Sequence, residues 1–216
     1  MILCDREIRE ALEQQRLVID PAPTPELYSS TSLDLRLGKP LRLWNRIPET
    51  QPTMGLVPRF RPAHQGFVYK QLEDQFTSVV ELTEAEEGGH DIPPRGFVLG
   101  YTLEKIYLPY RSRLCARVEG KSSLARLGLG VHVTAPTIHA GFGFNTGAPA
   151  ESGTPLVLEI WNAGPLPIEL RYEMRICQLI LEEVREVPTT GYVGQFNQQS
   201  ATLPPGPQRP RRRRRQ

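Results

Sequence analysis

Residues Ser32 to Gly38 read SLDLRLG, a strict alternation that puts Leu33, Leu35 and Leu37 on one face of an extended chain and Asp34 and Arg36 on the other. A helix would scatter those leucines around its circumference, so the stretch is a strand with one buried face. Period-two segments or short apolar runs closed by turn residues recur at Leu41–Trp44, Phe67–Leu72, Thr77–Leu82, Gly96–Leu103, Ser112–Val118, Val131–Ala135, Leu156–Trp161, Ile168–Tyr172 and Ile176–Leu181. Short strands separated by Gly/Pro turns predict an all-β barrel or jelly roll. One short helix precedes them: Asp5 caps it, Glu7 lies in its first turn, Ile8 and Leu12 share a face, and it stops near Arg16.

Composition agrees with short strands. The 216 residues include 21 prolines, roughly twice the usual share, which disfavours long helices. Apolar residues at 39% are sufficient for a real core. No apolar run approaches the roughly 20 residues of a membrane helix. The N-terminus, MILCDREIRE, becomes charged at once and has no signal-peptide core. A soluble, cytoplasmic protein without a membrane partner is expected. Residues 1–187 read as a single β domain, with 45–94 as irregular, proline-rich excursions on it. Residues 188–203, poor in large apolar side chains, read as a mobile arm or lid, and 204–216 as a disordered Pro/Arg tail.

The net charge of +2 is misleading, because six of the 26 basic residues, Arg209 and Arg211 to Arg215, sit in that tail. The 24 acidic residues therefore outnumber the bases of the body, and a nucleic-acid-binding domain is not expected. The tail reads as a solubilising end, with weak contact to RNA or another anion as the alternative. The three cysteines form no CxxC pair, so neither a disulfide framework nor a zinc knuckle is indicated, and Cys115 and Cys177 read as core residues. The His-x-Glu and Pro-Cys-x-x-Cys signature of zinc nucleobase deaminases is absent.

Chemistry-bearing residues concentrate between Glu119 and Asn162. EGKSSLARLGLGVH sets Ser122 and Ser123 at the start of a short helical turn, beside Lys121 and Arg126. Free N–H groups, hydroxyls and cations there suit an anion; the alternative is a serine N-cap with solvated bases. The spacing is not that of a Walker loop. In TPLVLEIWN, Glu159 shares a strand face with Val157 and Trp161. Apolar neighbours give it a desolvation reason for a raised pKa and a proton-shuttle role; the alternative is a rim glutamate paired with an arginine of an adjacent strand. His132 and His139 flank VTAPTI and read as hydrogen-bonded structural residues or, more weakly, metal ligands. Asp34 and Arg36 read as a structural ion pair.

Together the IDP turn at Ile19–Pro21, SLDLRLG, GKSSLARLGLGVHVTAPTIHAGF, LVLEIWNAGPLPIEL and MRICQLILE resemble the dCTP deaminase branch of the dUTPase-like superfamily, in the right order over about half of the chain. The resemblance implies a homotrimer of distorted jelly-roll (β-clip, dUTPase-like) subunits with active sites at their interfaces. It implies conversion of dCTP and water to dUTP and ammonia, without zinc and with Mg2+ on the triphosphate. Carried over by position, Glu159 is the catalytic carboxylate, and Ser122, Arg126 and the carbonyl of Ala135 hold it and the water in line. Lys121, Ser122 and Ser123 face the phosphates. Phe142 and His139 lie by the sugar, and Gln195, Phe196 and Gln199 form a closing lid. Lys121 stands where the family usually has arginine and His139 where it has aspartate, while GFNTGAPAESG adds residues before the catalytic strand. A bifunctional enzyme giving dUMP and pyrophosphate, a dUTPase, or an inactive nucleotide-binding trimer are the alternatives.

Overall fold

The protein's structure, a computed structural model, describes residues 1–45, 60–131, 135–144 and 153–192. His132, Gln195, Phe196, Gln199, the arginine tail and most of the added segment before the catalytic strand lie outside the described residues. The elements in chain order are α1 (Asp5–Glu13), β1 (Val18–Asp20), β2 (Tyr28–Ser29), β3 (Ser32–Arg36), β4 (Pro40–Trp44), α2 (Tyr69–Phe76), β5 (Thr77–Glu81), β6 (His90–Ile92) and β7 (Phe97–Tyr107). They continue with β8 (Leu114–Gly120), α3 (Ser122–Ala125), β9 (Leu129–Val131), β10 (Thr137–Ile138), β11 (Thr154–Asn162), β12 (Ile168–Leu170) and β13 (Arg175–Glu183).

The strands form two antiparallel sheets. One runs β5-β4-β7-β11-β9 with β1 also on β7, the other β10-β8-β13-β3-β2, and β12 pairs with β6 as a separate ribbon. The alternation of SLDLRLG is realised on β3, where Leu33 and Leu35 are completely buried, as is Leu37 just beyond it. They share one core cluster with Leu41, Leu156, Leu158 and Ile160 of the larger sheet. The core is tight at Gly100 of β7, where a Cβ would run into side-chain atoms of Ile160, Leu37 and Leu41 at 2.8–3.4 Å. α1 begins one residue after the true N-cap, Cys4, whose N–H donates to the Glu7 carboxylate at 2.8 Å. That bond holds the Glu7 carboxyl below its ordinary range.

Two expectations are corrected here. The strand expected at Phe67–Leu72 is a helix, α2. Its sequence YKQLEDQF is dominated by straight-chain helix formers, and Lys70 pairs with both Glu73 and Asp74 at 3.0 Å within the helix. Asp34 and Arg36 do not pair with each other. Asp34, 4% exposed, takes Lys121 Nζ at 2.6 Å, while Arg36 Nε donates at 2.7 Å to the fully buried Glu104 of β7. Buried carboxylates that end a strand face recruit cations from neighbouring strands, which intrastrand alternation cannot reveal. Cys177 is a core residue and its burial pushes the thiol up; Cys115 is only half-buried.

Candidate active site

β11 positions the central carboxylate. Leu156, Leu158 and Ile160 enter the core, so the alternation leaves Val157, Glu159 and Trp161 on the outer face of the larger sheet, where all three are half-buried. Glu159 lies opposite Leu99 of β7, and Leu99 lies opposite Arg42 of β4, which places the three in one row across the sheet. On the other side β11 pairs with β9, Ile160 opposite Val131 and Trp161 opposite Gly130. The Trp161 indole covers Gly130 so closely that any side chain there would collide with the ring. A flat apolar wall therefore stands beside Glu159.

The excursion between β4 and β5 supplies polar neighbours that the sequence reading missed. The Arg42 side chain, buried on that outer face, donates from Nε to the Tyr101 hydroxyl at 3.1 Å and from Nη1 to Thr77 Oγ1 at 3.2 Å, with Glu73 of α2 at 3.8 Å. Tyr69, one helical turn before Glu73, belongs to the same group. Its phenol is pushed up to about 12, first by burial and then by Glu73, the neighbouring Tyr101 phenol and Glu159, with Arg42 opposing. The i,i+4 spacing of Tyr69 and Glu73 was the available signal, hidden once the segment was read as a strand.

The cationic and hydroxyl groups lie elsewhere on the subunit. Ser122, Ser123 and Arg126 are exposed on and just after α3, and the N-cap of this turn is Lys121, not a serine. α3 runs into β9, whose first residue, Leu129, faces Asn162. It therefore sits beyond the Asn162 end of β11, while Glu159 lies three residues into the strand, about 10 Å along it. Lys121 is half-buried with its ammonium on Asp34, and Gln178 and Arg175 reach the same carboxylate at 3.3 and 3.8 Å.

The segment after Ala135 begins exposed and ends in the core. Ala135 is exposed, and His139 is exposed with its ring stacked on Tyr192 at 5.2 Å and 22°. Tyr192 N–H donates to the Ala140 carbonyl at 3.0 Å, which fastens the last described residues of the chain beside His139. Phe142, expected at the sugar, is 5% exposed and packs in the core. The turn at Gly141 and Gly143, both at positive φ, and the bonds Gly141 N–H to Leu108 O and Leu108 N–H to Phe142 O turn its ring inward. Among the described residues no group of three or more His, Cys, Asp or Glu is placed to hold a metal ion.

Comparison with known proteins gives consistent likenesses. Residues 2–184 match the family described as dCTP deaminase-like. A dCTP deaminase of Rhodospirillum rubrum is 32% identical over 208 residues, covering 94% of this chain and 95% of that protein. A dCTP deaminase, dUMP-forming, of Corynebacterium kroppenstedtii is 37% identical over 193 residues, covering 89% and 87%. Among solved structures, the 2'-deoxycytidine 5'-triphosphate deaminase from Agrobacterium tumefaciens aligns over 84% of this chain with TM-score 0.55 and 23% identity. This chain spans about half (48%) of that solved chain's length. That likeness shows a shared fold, a mainly β arrangement with a short N-terminal helix.

Proposed function

This chain belongs to the dCTP deaminase-like family, and we propose that it hydrolyses the exocyclic amine of dCTP, giving dUTP and ammonia. The observation that carries this reading is the match over residues 2–184 together with Glu159 standing on the outer face of β11 between Val157 and Trp161. A carboxylate beside apolar walls is a suitable proton shuttle. Glu159 takes a proton from water, and the resulting hydroxide adds to C4 of cytosine. The same carboxyl passes that proton to N3, then takes the proton of the new C4 hydroxyl and hands it to the amine, and ammonia departs as the C4–N bond breaks and the C4 carbonyl forms. Ser122, Arg126 and the Ala135 carbonyl orient water and carboxylate. The substrate is Mg2+–dCTP, the ion travelling on the triphosphate. Lys121, Ser123, His139 and the lid residues Gln195, Phe196 and Gln199 are assigned to phosphate and sugar.

The separation of α3 from Glu159 along β11 supports a site completed between subunits of a homotrimer, with the exposed Ser122, Ser123 and Arg126 offered to a neighbour's carboxylate. Sedimentation should therefore give a species near three times 24.4 kDa. A monomer that still deaminates would require Ser122, Arg126 and Glu159 of one chain to meet, and would overturn the shared site.

A second reading has a specific observation in its favour, the 37% identity to a dUMP-forming relative. One assay separates the readings. Incubation with Mg2+–dCTP is expected to release ammonia and dUTP in equal amounts. Ammonia with dUMP and pyrophosphate would favour the bifunctional enzyme, and nucleotide binding without ammonia would overturn deamination.

A further inference from the structure

The polar group under α2 has no part in the chemistry above, yet it is built at some cost. Arg42 is 4% exposed and Glu73 8%, and charges so deeply placed persist only where partners fix them. The partners are there: Tyr101 and Thr77 for Arg42, Lys70 Nζ at 3.0 Å for Glu73, and Thr77 Oγ1 donating to the Glu73 carbonyl at 2.5 Å, where α2 ends. This network fastens α2 to the outer face of β4 and β7. Arg42 and Glu159 occupy the same row, two strands apart, about 10 Å. Leu99, 3% exposed, lies between them within the row, so a polar link across that span has to come from α2, above the sheet.

Tyr69 is placed to fill it. It opens α2, one turn before Glu73 and on the same side of the helix, within electrostatic reach of Glu73, Tyr101, Arg42 and Glu159 together. Its phenol is protonated, a donor, throughout the neutral range. Resting on the deaminase reading of Glu159, we propose that Tyr69 is a positioning residue: its O–H donates to the Glu159 carboxylate, fixing one oxygen so that the other faces the water, while the Arg42–Glu73 pair holds α2 in place. The described ionisable groups packed around this point are Lys70, Glu73 and Asp74 of α2, Arg42 of β4, Tyr101 of β7 and Glu159 of β11. A donor to the charged form keeps a carboxylate acidic, so it stays a base as pH falls.

The test is Tyr69→Phe in the full chain, with ammonia release followed against pH. Removing the O–H is expected to lower kcat roughly tenfold with KM for Mg2+–dCTP unchanged. The acid limb of the kcat profile should move up by about one pH unit, since the carboxylate loses its donor. Glu73→Gln, which loosens α2 without touching the phenol, should move kcat and the limb in the same direction by less. An active wild type beside a Tyr69→Phe variant with unaltered kcat and acid limb overturns the role of Tyr69 alone. That role is equally overturned if the variant melts lower but titrates as the wild type does, which is a structural effect only. A wild type that releases no ammonia from dCTP overturns the deaminase reading and this inference with it.

Discussion

Glu159→Gln is expected to reduce ammonia release from Mg2+–dCTP by about a thousandfold or more, with nucleotide binding and melting temperature close to those of the parent. The size follows from the role proposed: a positioned general base contributes on the order of 10²–10⁴-fold, and here one carboxyl both takes the proton and delivers it. Glutamine keeps the shape and can still accept from a donor, but it cannot accept the proton of water. Structural collateral should be small, because the core face of β11 is carried by Leu156, Leu158 and Ile160, and residue 159 lies on the other side. Calorimetric titration with dCTP, alongside steady-state kinetics, separates lost chemistry from lost binding. Deamination by this variant at the parent's rate would remove Glu159 from the mechanism.

What the sequence disclosed, and what it hid, divides along one line: the reach of the interaction. Alternation is local, so SLDLRLG and TPLVLEIWN declared both their strands and which side chains face the core. The family motifs are also local runs, and they led to the family that the comparisons establish. The helix α2 was misread because it is eight residues long, too short for its 3.6 period to stand out against a β-rich background. The partners of Asp34 and Arg36 come from β8's end and from β7, 87 and 68 residues away in the chain, and no spacing rule covers such pairs. Phe142, placed beside the sugar by the resemblance, has its burial set by the turn at Gly141 and Gly143, which no spacing rule reveals. The Tyr69, Glu73 and Arg42 group beside Glu159 exists only once β4, β7 and β11 are laid in register.

Glu104→Ala is the substitution expected to cost the fold most. Glu104 is completely buried, and its two oxygens accept from Arg36 twice, Oε1 from Nε at 2.7 Å and Oε2 from the backbone N–H at 2.8 Å. β3 and β7 belong to different sheets, so this pair braces the two layers beside the bridge between Leu37 and Thr102. Alanine would leave a guanidinium that is 20% exposed with only Glu173 at 3.7 Å, and an N–H with no acceptor. Breaking such a pair costs about 3–5 kcal/mol, a large part of the roughly 5–15 kcal/mol that holds a typical domain together. Glu104→Gln, which retains an oxygen for one of the two bonds, should cost less than alanine. The exposed pair of Lys39 and Glu84, 3.2 Å apart with side chains 46% and 74% exposed, provides the contrast: Glu84→Ala should leave the urea midpoint essentially where it is, since water screens the pair. Urea unfolding of the three variants against the parent measures all of these. Should Glu104→Ala unfold at the same urea concentration as Glu84→Ala, the buried pair would not be what locks the sheets. The lock would then have to be the leucine packing around Gly100, where no Cβ can be accommodated without displacing Ile160 and Leu37.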